Sequence, residues 1–341
     1  MKVAMYYKNA DVRLEEMPVP KIGPEEILIR VYASGICGSD LMEWYRLPKA
    51  PLVLGHEIAG QIVEIGEKVS NFKVGDRVIA THHVPCNTCY HCMRGNHSSC
   101  QTLRSTSFDP GGFSEFIRIP EINVDRGVLK LSDEVTYEEA SFVEPLGCVI
   151  RGQRLAGFQM TDSILVMGSG MTGLLHIQLA KAQGAGRIIA TDLNDYKLNA
   201  SKNFGADYAF HADHDIASRI KEVNEGRLAD MVVVCVGAKS AILQAFDLVE
   251  PGGTILFFAP SGPNTNIEIP FNNLWWSGVK TLSSYAASPS DLAIALELIR
   301  SKRVNVADMV THRLPLSETG AGFRMVEEGG DSIKVIVKPH K

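Results

Sequence analysis

A glycine-rich turn between an apolar strand and a helix constrains this chain more than any other feature of its sequence. Gly168, Gly170 and Gly173 form a G-x-G-x-x-G motif that follows the apolar stretch 163–167 and opens a segment rich in Leu, Ile and Ala. In such a motif the first glycine permits a tight turn, the second lets the backbone approach a pyrophosphate, and the third lets helix and strand pack closely. The pattern predicts a strand, turn and helix that hold a dinucleotide at the helix N-terminus.

An acidic residue at the end of the next strand supports this interpretation. Asp192 follows the β-branched stretch 187–191, at about the ~20-residue spacing expected of a carboxylate that binds ribose hydroxyls. Its charge would repel a 2′-phosphate and no arginine occurs in residues 193–195, so the sequence favours NAD over NADP. We expect Met171 and Thr172, which lie between the glycines, to contact the cofactor too. The alternative is a glycine-rich turn that binds nothing.

The rest of the chain divides into regions of different periodicity. Before residue 150, short β-branched stretches alternate with glycine and proline turns, which is typical of a small β-rich domain. Between residues 151 and 284, apolar strands alternate with amphipathic helices, which predicts a parallel sheet covered on both faces. We therefore expect an α/β protein in which a doubly wound nucleotide-binding domain, residues 151–284, is inserted into a β-rich domain formed by residues 1–150 and 285–341.

Length and composition exclude several classes of function. The chain has 341 residues, of which 45% are hydrophobic and 21% charged, as is typical of a folded globular protein. Its 34 Lys and Arg residues against 39 Asp and Glu residues give a net charge of −5, so nucleic acid is not an expected partner. No apolar stretch approaches the ~18 residues of a membrane-spanning helix, and no secretory leader is recognisable. We expect a cytoplasmic protein without a membrane partner.

Four of the seven cysteines crowd into one segment. Cys86, Cys89, Cys92 and Cys100 have the spacing C-x2-C-x2-C-x7-C, which suits a lobe, residues 85–101, wrapped around one tetrahedral Zn²⁺. Four thiolates leave no open coordination position, so the predicted site is structural. An iron–sulfur cluster is the alternative that the same four ligands allow.

Three separate segments hold further residues of metal-binding type. Cys37 lies in Gly-Ile-Cys-Gly-Ser-Asp, His56 and Glu57 lie in Gly-His-Glu-Ile-Ala-Gly, and Glu144 precedes Pro-Leu. Taken singly, each is also compatible with an ordinary buried residue.

Together with the glycine motif and the four-cysteine lobe, these segments resemble the zinc-containing medium-chain dehydrogenase/reductase family along essentially the whole chain. The stretch from Gly55 to Val69 has the form of that family's zinc signature. Glu144, where alcohol dehydrogenases have a cysteine, is similar to the polyol, sugar and threonine dehydrogenase branch. The resemblance implies a β-rich GroES-like catalytic domain and a Rossmann nucleotide-binding domain.

The resemblance also implies a catalytic zinc ion held by Cys37, His56 and either Glu57 or Glu144, with substrate or water completing the coordination. We expect one glutamate to bind at a time, because a second carboxylate would leave the site net negative and weaken the metal as a Lewis acid. In the family position, Ser39 accepts the substrate proton and passes it outward.

The same resemblance bears on the roles of four residues that follow Ser39. Asp40 would accept the remaining N–H of His56. Met42 stands where many relatives have a histidine that ends the proton relay, and methionine cannot transfer a proton. Glu43 could take that proton or bind a substrate hydroxyl, and Trp44 could wall the pocket, although both could equally line a loop.

The sequence therefore predicts an enzyme with two zinc ions per chain that transfers hydride from a secondary alcohol to NAD. A small-molecule polyol, sugar or cyclitol is the expected substrate; threonine, a simple diol and a sugar phosphate are alternatives. A different class is a non-catalytic sensor that binds NAD(H). The segment 254–280, with Trp275 and Trp276, resembles the part of the family that joins subunits, so we expect a homodimer or homotetramer.

Overall fold

The computed structural model describes residues 1–212 and 215–340 and shows two compact units. The first unit comprises residues 1–147, residues 286–302 and the segment from residue 306 to the C-terminal end of the described chain. The second unit comprises residues 148–285 and 303–305. Within the described ranges, none of the helices combines the length and the apolar character needed to cross a bilayer.

Strands dominate the N-terminal part of the first unit, and turns or short helices connect them. The strands are β1 Lys2–Lys8, β2 Asp11–Glu16, β3 Ile27–Gly35, β4 Leu52–Val53, β5 Glu57–Ile65, β6 Arg77–Ala80, β7 Phe116–Ile119 and β8 Val128–Lys130. The short α-helices are α1 Glu43–Arg46, α2 Tyr90–Met93, α3 Gln101–Ser105, α4 Glu121–Gly127 and α5 Tyr137–Ala140.

Helices and strands alternate from residue 143 onward, because apolar stretches buried on both faces are separated by helix-forming segments. The helices are α6 Val143–Ala156, α7 Met171–Ala182, α8 Asp195–Asn203, α9 Ile216–Val223, α10 Lys239–Leu248 and α11 Phe271–Ser277. The strands are β9 Ser163–Met167, β10 Arg187–Asp192, β11 Tyr208–His211, β12 Ala229–Val234, β13 Val249–Phe257 and β14 Lys280–Ser283.

The C-terminal part of the chain returns to the first unit. Ser288 begins this part with a capping box, in which its hydroxyl accepts from the backbone N–H of Asp291 and the Asp291 carboxylate accepts from the backbone N–H of Ser288. The elements are α12 Pro289–Arg300, β15 Val310–Pro315, α13 Thr319–Glu328 and β16 Lys334–Lys338.

The sheet of the second unit is parallel throughout and has the strand order β11-β10-β9-β12-β13-β14. Its central strands contribute Leu165, Ile189, Val232 and Ile255 to one buried apolar cluster. Since β9 is the first strand of this sheet in the chain and pairs with both β10 and β12, the order reverses beside it, where doubly wound sheets bind their ligands.

The larger sheet of the first unit has the order β15-β16-β3-β5-β6-β8, with β7 also paired to β3, and a three-stranded sheet has the order β2-β1-β4. Strand β3 is antiparallel to both β5 and β16, and Gly35 at its end pairs with Glu57 and with Ile336. This register brings the end of β3 to the beginnings of β5 and β16. Together, the two units confirm the predicted α/β fold class, with a β-rich part and a doubly wound parallel part.

Candidate metal centres and dinucleotide site

The four cysteines of the predicted lobe come together in the structure. The Sγ atoms of Cys86, Cys89, Cys92 and Cys100 all lie within 4.8 Å of one another. Backbone N–H groups point at two of these sulfurs, since Cys89 donates to Cys86 Sγ at 3.3 Å and Cys86 donates to Cys100 Sγ at 3.4 Å. Hydrogen bonds from Thr88 and from the Cys89 backbone lower the pKa of Cys86 to about 5. Four such sulfurs fit a tetrahedral zinc ion with no position left for a substrate.

A second group of ligand atoms lies where β3 ends and β5 begins. Cys37 Sγ, a ring nitrogen of His56 and a carboxylate oxygen of Glu57 lie within 4.8 Å of one another. The β3–β5 register places Cys37, two residues after Gly35, close to the strand that opens with Glu57. A thiolate, an imidazole and a carboxylate are the donor set of zinc sites that keep one position open.

Asp40 contacts two members of this second group, His56 and Cys37. Its carboxylate is fully buried, with Oδ1 3.3 Å from His56 Nδ1 and Oδ2 accepting from the Cys37 backbone N–H at 3.1 Å. Burial raises the pKa of Asp40, but the facing His56 and Arg46 outweigh burial and bring it below its ordinary value. Burial likewise opposes protonation of His56, and Asp40 and Cys37 outweigh it, so the pKa of His56 is raised. With Nδ1 facing Asp40, Nε2 is the nitrogen available to a metal.

The two carboxylate oxygens of Glu57 have different surroundings. Its Oε2 pairs with Nζ of Lys334, whose ammonium also donates to the carbonyl of Ile36 at 3.2 Å. Both side chains are buried, at 0% and 1% exposure. The other oxygen, Oε1, is buried without a hydrogen-bond partner among the described residues. A buried, unpartnered carboxylate oxygen beside a cysteine and a histidine fits a cation.

Glu144, the alternative ligand, lies in the first turn of helix α6 and is half-buried. It is not a member of the group formed by Cys37, His56 and Glu57. The structure thus brings three of the four predicted ligands together. Which glutamate binds the metal during turnover stays a prediction.

The glycine motif forms the turn between β9 and α7. Gly168 has a φ of +95°, and a Cβ there would meet Val236, while a Cβ on Gly173 would collide with the carbonyl of Gly168. Helix α7 begins after Gly170 without a side-chain cap, so its first N–H groups remain available to an anion. The positions of these glycines fit a pyrophosphate.

Asp192 lies directly against this turn. Its Oδ2 accepts from the Ser169 backbone N–H at 2.7 Å and its Oδ1 accepts from the Asn194 backbone N–H at 2.9 Å. Each carboxylate oxygen keeps a second lone pair, so both remain able to accept from a ribose. Thr172 lies at the start of α7 and its side chain hydrogen-bonds Cys235, whose thiol pKa burial raises to about 12.

Comparison with known proteins gives matches along nearly the whole chain. Residues 23–132 match the alcohol dehydrogenase GroES-like domain, and residues 172–301 match the zinc-binding dehydrogenase domain. Sorbitol dehydrogenase of Bacillus subtilis is 31% identical over 100% of this chain and 98% of its own length, and the enzyme of Mus musculus is 31% identical over 96% and 93%. The chain belongs to the zinc-binding dehydrogenase family.

Solved structures of this zinc-binding dehydrogenase family superpose along the whole chain. Alcohol dehydrogenase TADH from Thermus sp. ATN1 matches with a TM-score of 0.88 at 26% identity and 99% coverage of both chains. The 2R,3R-butanediol dehydrogenase of Bacillus subtilis matches with a TM-score of 0.87 at 26% identity, again over 99% of both chains. The family assignment made from the motifs is confirmed.

Around the open group, this dehydrogenase has contacts that the sequence did not reveal. Ser39 donates through Oγ to Cys37 Sγ at 3.4 Å, and Arg46 approaches Ser39 through Nε to its carbonyl at 3.1 Å and through Nη2 to its Oγ at 3.4 Å. Arg46 Nη2 also lies 3.5 Å from Asp40 Oδ1. The side chain of Arg46 is therefore the cation that holds the Ser39–Asp40 segment, four residues beyond Met42.

Glu43 and Trp44 have surroundings closer to the loop interpretation. Glu43 Oε1 accepts from the backbone N–H of Asn9, in the turn between β1 and β2, at 2.9 Å. Trp44 is 48% exposed, with its ring beside Tyr45. Their roles in a substrate pocket stay predictions.

Two further histidines, His82 beside the open group and His83 beside His82, were not singled out from the sequence. The His82 ring centroid is 4.7 Å from that of His56 and 3.7 Å from that of His83. Burial and the neighbouring His83 and His56 lower the pKa of His82 well below its ordinary value, and burial lowers the pKa of His83 to about 4. The Thr-His-His sequence after β6 was the available signal.

Proposed function

We propose that this protein is a zinc-dependent dehydrogenase that oxidises a secondary alcohol carrying further hydroxyl groups to a ketone, with NAD as the acceptor. The observation that carries this proposal is the open group of Cys37, His56 and Glu57, with its unpartnered carboxylate oxygen. In this proposal the first unit is the catalytic domain and the second unit binds the cofactor.

Cys37, His56 and one of Glu57 or Glu144 would hold the catalytic zinc ion. A zinc ion bound there would supply Lewis-acid chemistry that lowers the pKa of a coordinated alcohol. Asp40 orients the imidazole of His56, and Lys334 keeps the charge of Glu57 balanced when its carboxylate is not bound to metal. Cys86, Cys89, Cys92 and Cys100 would hold the structural zinc ion.

Ser39 is the residue that we assign to the substrate proton. Its hydroxyl donates to the sulfur of Cys37 and accepts from Nη2 of Arg46. Because a guanidinium stays protonated, Arg46 fixes the position of this hydroxyl but does not take the proton onward. The exit of the proton past Met42 is then to water or to Glu43.

The choice of cofactor rests on Asp192. Two backbone N–H groups hold its carboxylate against the glycine turn. A 2′-phosphate would meet this negative charge in the absence of a compensating arginine at residues 193–195. We therefore propose NAD. Gly168, Gly170 and Gly173, with Met171 and Thr172, would surround the pyrophosphate.

The substrate class follows from the curated relatives and from the donor set together. Sorbitol dehydrogenases and a butanediol dehydrogenase are similar to this chain over nearly their whole length. Glu144 precedes Pro-Leu, which is the pattern expected of the polyol branch. A neutral molecule with several hydroxyl groups is therefore the proposed substrate.

The cellular compartment and the oligomeric state are also proposals. None of the seven cysteines, all of which lie in the described ranges, forms a disulfide, which suits a reducing compartment such as the cytoplasm. Trp275 and Trp276 are 67% and 74% exposed on α11, next to the edge strand β14. An exposed aromatic pair beside an unpaired strand edge supports a homodimer or homotetramer.

Reduction of NAD by the zinc-loaded protein tests this function. The panel contains polyols, cyclitols, sugars, butane-2,3-diol, threonine, a sugar phosphate and simple alcohols, with NAD and NADP compared, and each reaction is repeated after treatment with a zinc chelator. We expect chelator-sensitive reduction of NAD with one polyhydroxylated class. Absence of turnover across the panel, despite bound zinc and NADH, would favour a non-catalytic sensor.

A further inference from the structure

Asn9, in the turn between β1 and β2, is buried and forms hydrogen bonds to separate parts of the first unit. Its Nδ2 donates to the carbonyl of Leu41 at 2.9 Å and to Oε1 of Glu327 at 3.2 Å, and its backbone N–H donates to Oε1 of Glu43 at 2.9 Å. The hydroxyl of Tyr6 donates to its Oδ1 at 3.0 Å. An amide whose donors and acceptor oxygen are all engaged is held in one orientation.

Bonds from Asn9 reach the segment 38–46, which carries the hydroxyl of Ser39. The first part of this segment is a short 3₁₀ turn that ends at Leu41, and the second part is α1, which begins at Glu43. Asn9 therefore holds both parts, the turn through its side chain and the helix through its backbone N–H.

Both parts of the segment bear on the same hydroxyl. Ser39 lies within the turn, and its Oγ donates to Cys37 Sγ at 3.4 Å. Arg46, at the end of α1, donates back through Nη2 to that Oγ at 3.4 Å and through Nε to the Ser39 carbonyl at 3.1 Å. A shift of the turn or of the helix would therefore move Ser39 or its partner. Misplacing a reacting group by about 1 Å can cost roughly a hundredfold in rate.

The contact of Glu43 with Asn9 indicates how its carboxylate acts. A hydrogen bond from a backbone N–H to an ionised carboxylate is roughly twice as strong as one between neutral groups. If Glu43 took up the substrate proton, this bond would weaken at the moment when Ser39 has to be held in place. Water is therefore the better acceptor for the proton that leaves Ser39.

We propose that Asn9 and Glu43 are positioning residues that hold Ser39 for proton transfer, and that Glu43 does so by accepting a hydrogen bond and not by accepting the proton. This inference rests on the proposed function and chooses between its two routes for the proton. It also adds Asn9, a residue outside the motifs that predicted the site.

The test separates the two possible roles of Glu43 by substitutions of different chemistry. Glu43→Gln keeps an oxygen that can accept from Asn9 but has no carboxylate to take a proton, and Glu43→Ala keeps neither. Asn9→Ala removes the bond to Leu41 and leaves the backbone donor. We would measure kcat and KM across a range of pH with the alcohol that the wild-type holoenzyme oxidises fastest. Zinc content and NADH affinity show that the metal and cofactor sites persist.

We expect Glu43→Ala and Asn9→Ala to lower kcat roughly tenfold with KM nearly unchanged. Glu43→Gln should stay within about twofold of the wild type and keep its pH profile. The control is Glu327→Ala, which removes the bond from Asn9 to α13 but neither bond to the segment, and it should also stay within about twofold. A loss in Glu327→Ala as large as in Asn9→Ala would contradict the proposal.

Other results would overturn the proposal in different ways. An equal loss of kcat in Glu43→Gln and Glu43→Ala would show that the charged carboxylate is needed, as a proton acceptor requires. A raised KM with unchanged kcat would place Glu43 on the substrate, and unchanged kcat in Glu43→Ala and Asn9→Ala would show that Ser39 needs no such support. Each result refutes the inference and leaves the proposed function standing. If the zinc-loaded wild type reduces NAD with no alcohol of the panel, both are wrong.

Hydrogen exchange tests the positioning without turnover. Within the segment, the backbone N–H groups of Tyr45 and Arg46 donate to the carbonyl of Met42 at 2.9 and 3.0 Å. In the zinc-loaded protein, we expect the segment to exchange roughly tenfold faster in Glu43→Ala than in the wild type, and Glu43→Gln to exchange like the wild type. Amides of the four-cysteine lobe are the internal reference. Equal exchange of the segment in all three proteins would contradict the proposal. Because Glu43 is half-buried, this pair of variants decides the matter even if Asn9→Ala fails to fold.

Discussion

The two groups of metal-binding residues in the first unit are built in opposite ways. The four-cysteine lobe is formed by one segment from Cys86 to Cys100, with ligands that backbone N–H groups approach directly. The open group takes its ligands from the end of β3 and the start of β5, and Lys334 reaches it from the start of β16. A local sequence can encode the first arrangement, whereas the second exists only when the sheet register is correct.

The four-cysteine lobe and the open group also differ in net charge. Four thiolates around Zn²⁺ give a closed, net negative site that suits a structural role. One thiolate, one carboxylate and a neutral imidazole would just balance the charge of Zn²⁺ and would leave a bound ion an effective Lewis acid with an open position. Asp40 and Lys334 belong to the second site alone, so the open group depends on buried charges that the lobe does not need.

The largest expected effect comes from removing the thiolate of the open group. Cys37→Ser should lower kcat/KM roughly a thousand-fold, because loss of a Lewis acid removes several kcal/mol of transition-state stabilisation and 1.4 kcal/mol is a factor of about ten. Steady-state kinetics and the zinc content per chain measure this. Cys148→Ser, at a cysteine outside both groups, is the control. Turnover of Cys37→Ser within tenfold of the wild type would contradict the assignment.

Breaking the buried ion pair of Glu57 should chiefly affect stability. Lys334→Met leaves the carboxylate of Glu57 buried without its cation, and we expect the free energy of unfolding to fall by about 3–5 kcal/mol. The loss should be largest in protein stripped of the open-site metal, because zinc would give Glu57 another cation. Denaturant unfolding measures it.

Lys334→Arg keeps the positive charge and is the matched control for that substitution. It should lose less stability than Lys334→Met, and the zinc of the four-cysteine lobe should stay bound in both variants. A loss below about 1 kcal/mol in Lys334→Met would show that the pair is not needed.

A smaller effect is expected from Asp40. Asp40→Asn keeps the size of the side chain but removes the charge that faces His56 at 3.3 Å. Loss of such a partner lowers metal affinity or activity by about 10–100-fold. Zinc dissociation and kcat/KM measure this effect, and the lobe, which has no such carboxylate, supplies the internal reference. Unchanged zinc dissociation and unchanged kcat/KM would show that Asp40 does not support the metal-binding role of His56.

The contrast between the two groups also explains what the sequence could predict. The fold class and the family follow from patterns that are local, namely the glycine motif, the cysteine spacing and the alternation of strands and helices. Cys37, His56 and Glu57 were candidates through short motifs around each of them. The glycine turn and Asp192 lie in one continuous segment, so their proximity was also predictable.

The residues that sequence reasoning missed reach the open group through the pairing of strands or through a short local helix. Lys334 opens the strand Lys-Val-Ile-Val-Lys and would ordinarily be expected at a solvent-exposed strand end, yet the pairing of β16 with β3 buries it against Glu57. Arg46 reaches back to Ser39 through the geometry of the short helix α1. His82 gains its neighbours from the β5–β6 pairing. Register between strands determines the contacts of Lys334 and His82, and local helix geometry determines those of Arg46.

Stepwise removal of zinc tests the central claim, that one site is open and catalytic and the other closed and structural. A chelator would be applied to the holoenzyme while zinc content, NAD reduction and Tm are followed on the same sample. We predict that the first zinc ion lost takes all turnover with it and leaves the fold intact, and that the second leaves only as the protein unfolds. Turnover that survives loss of the first zinc ion, or simultaneous loss of both ions with the fold, would contradict the account.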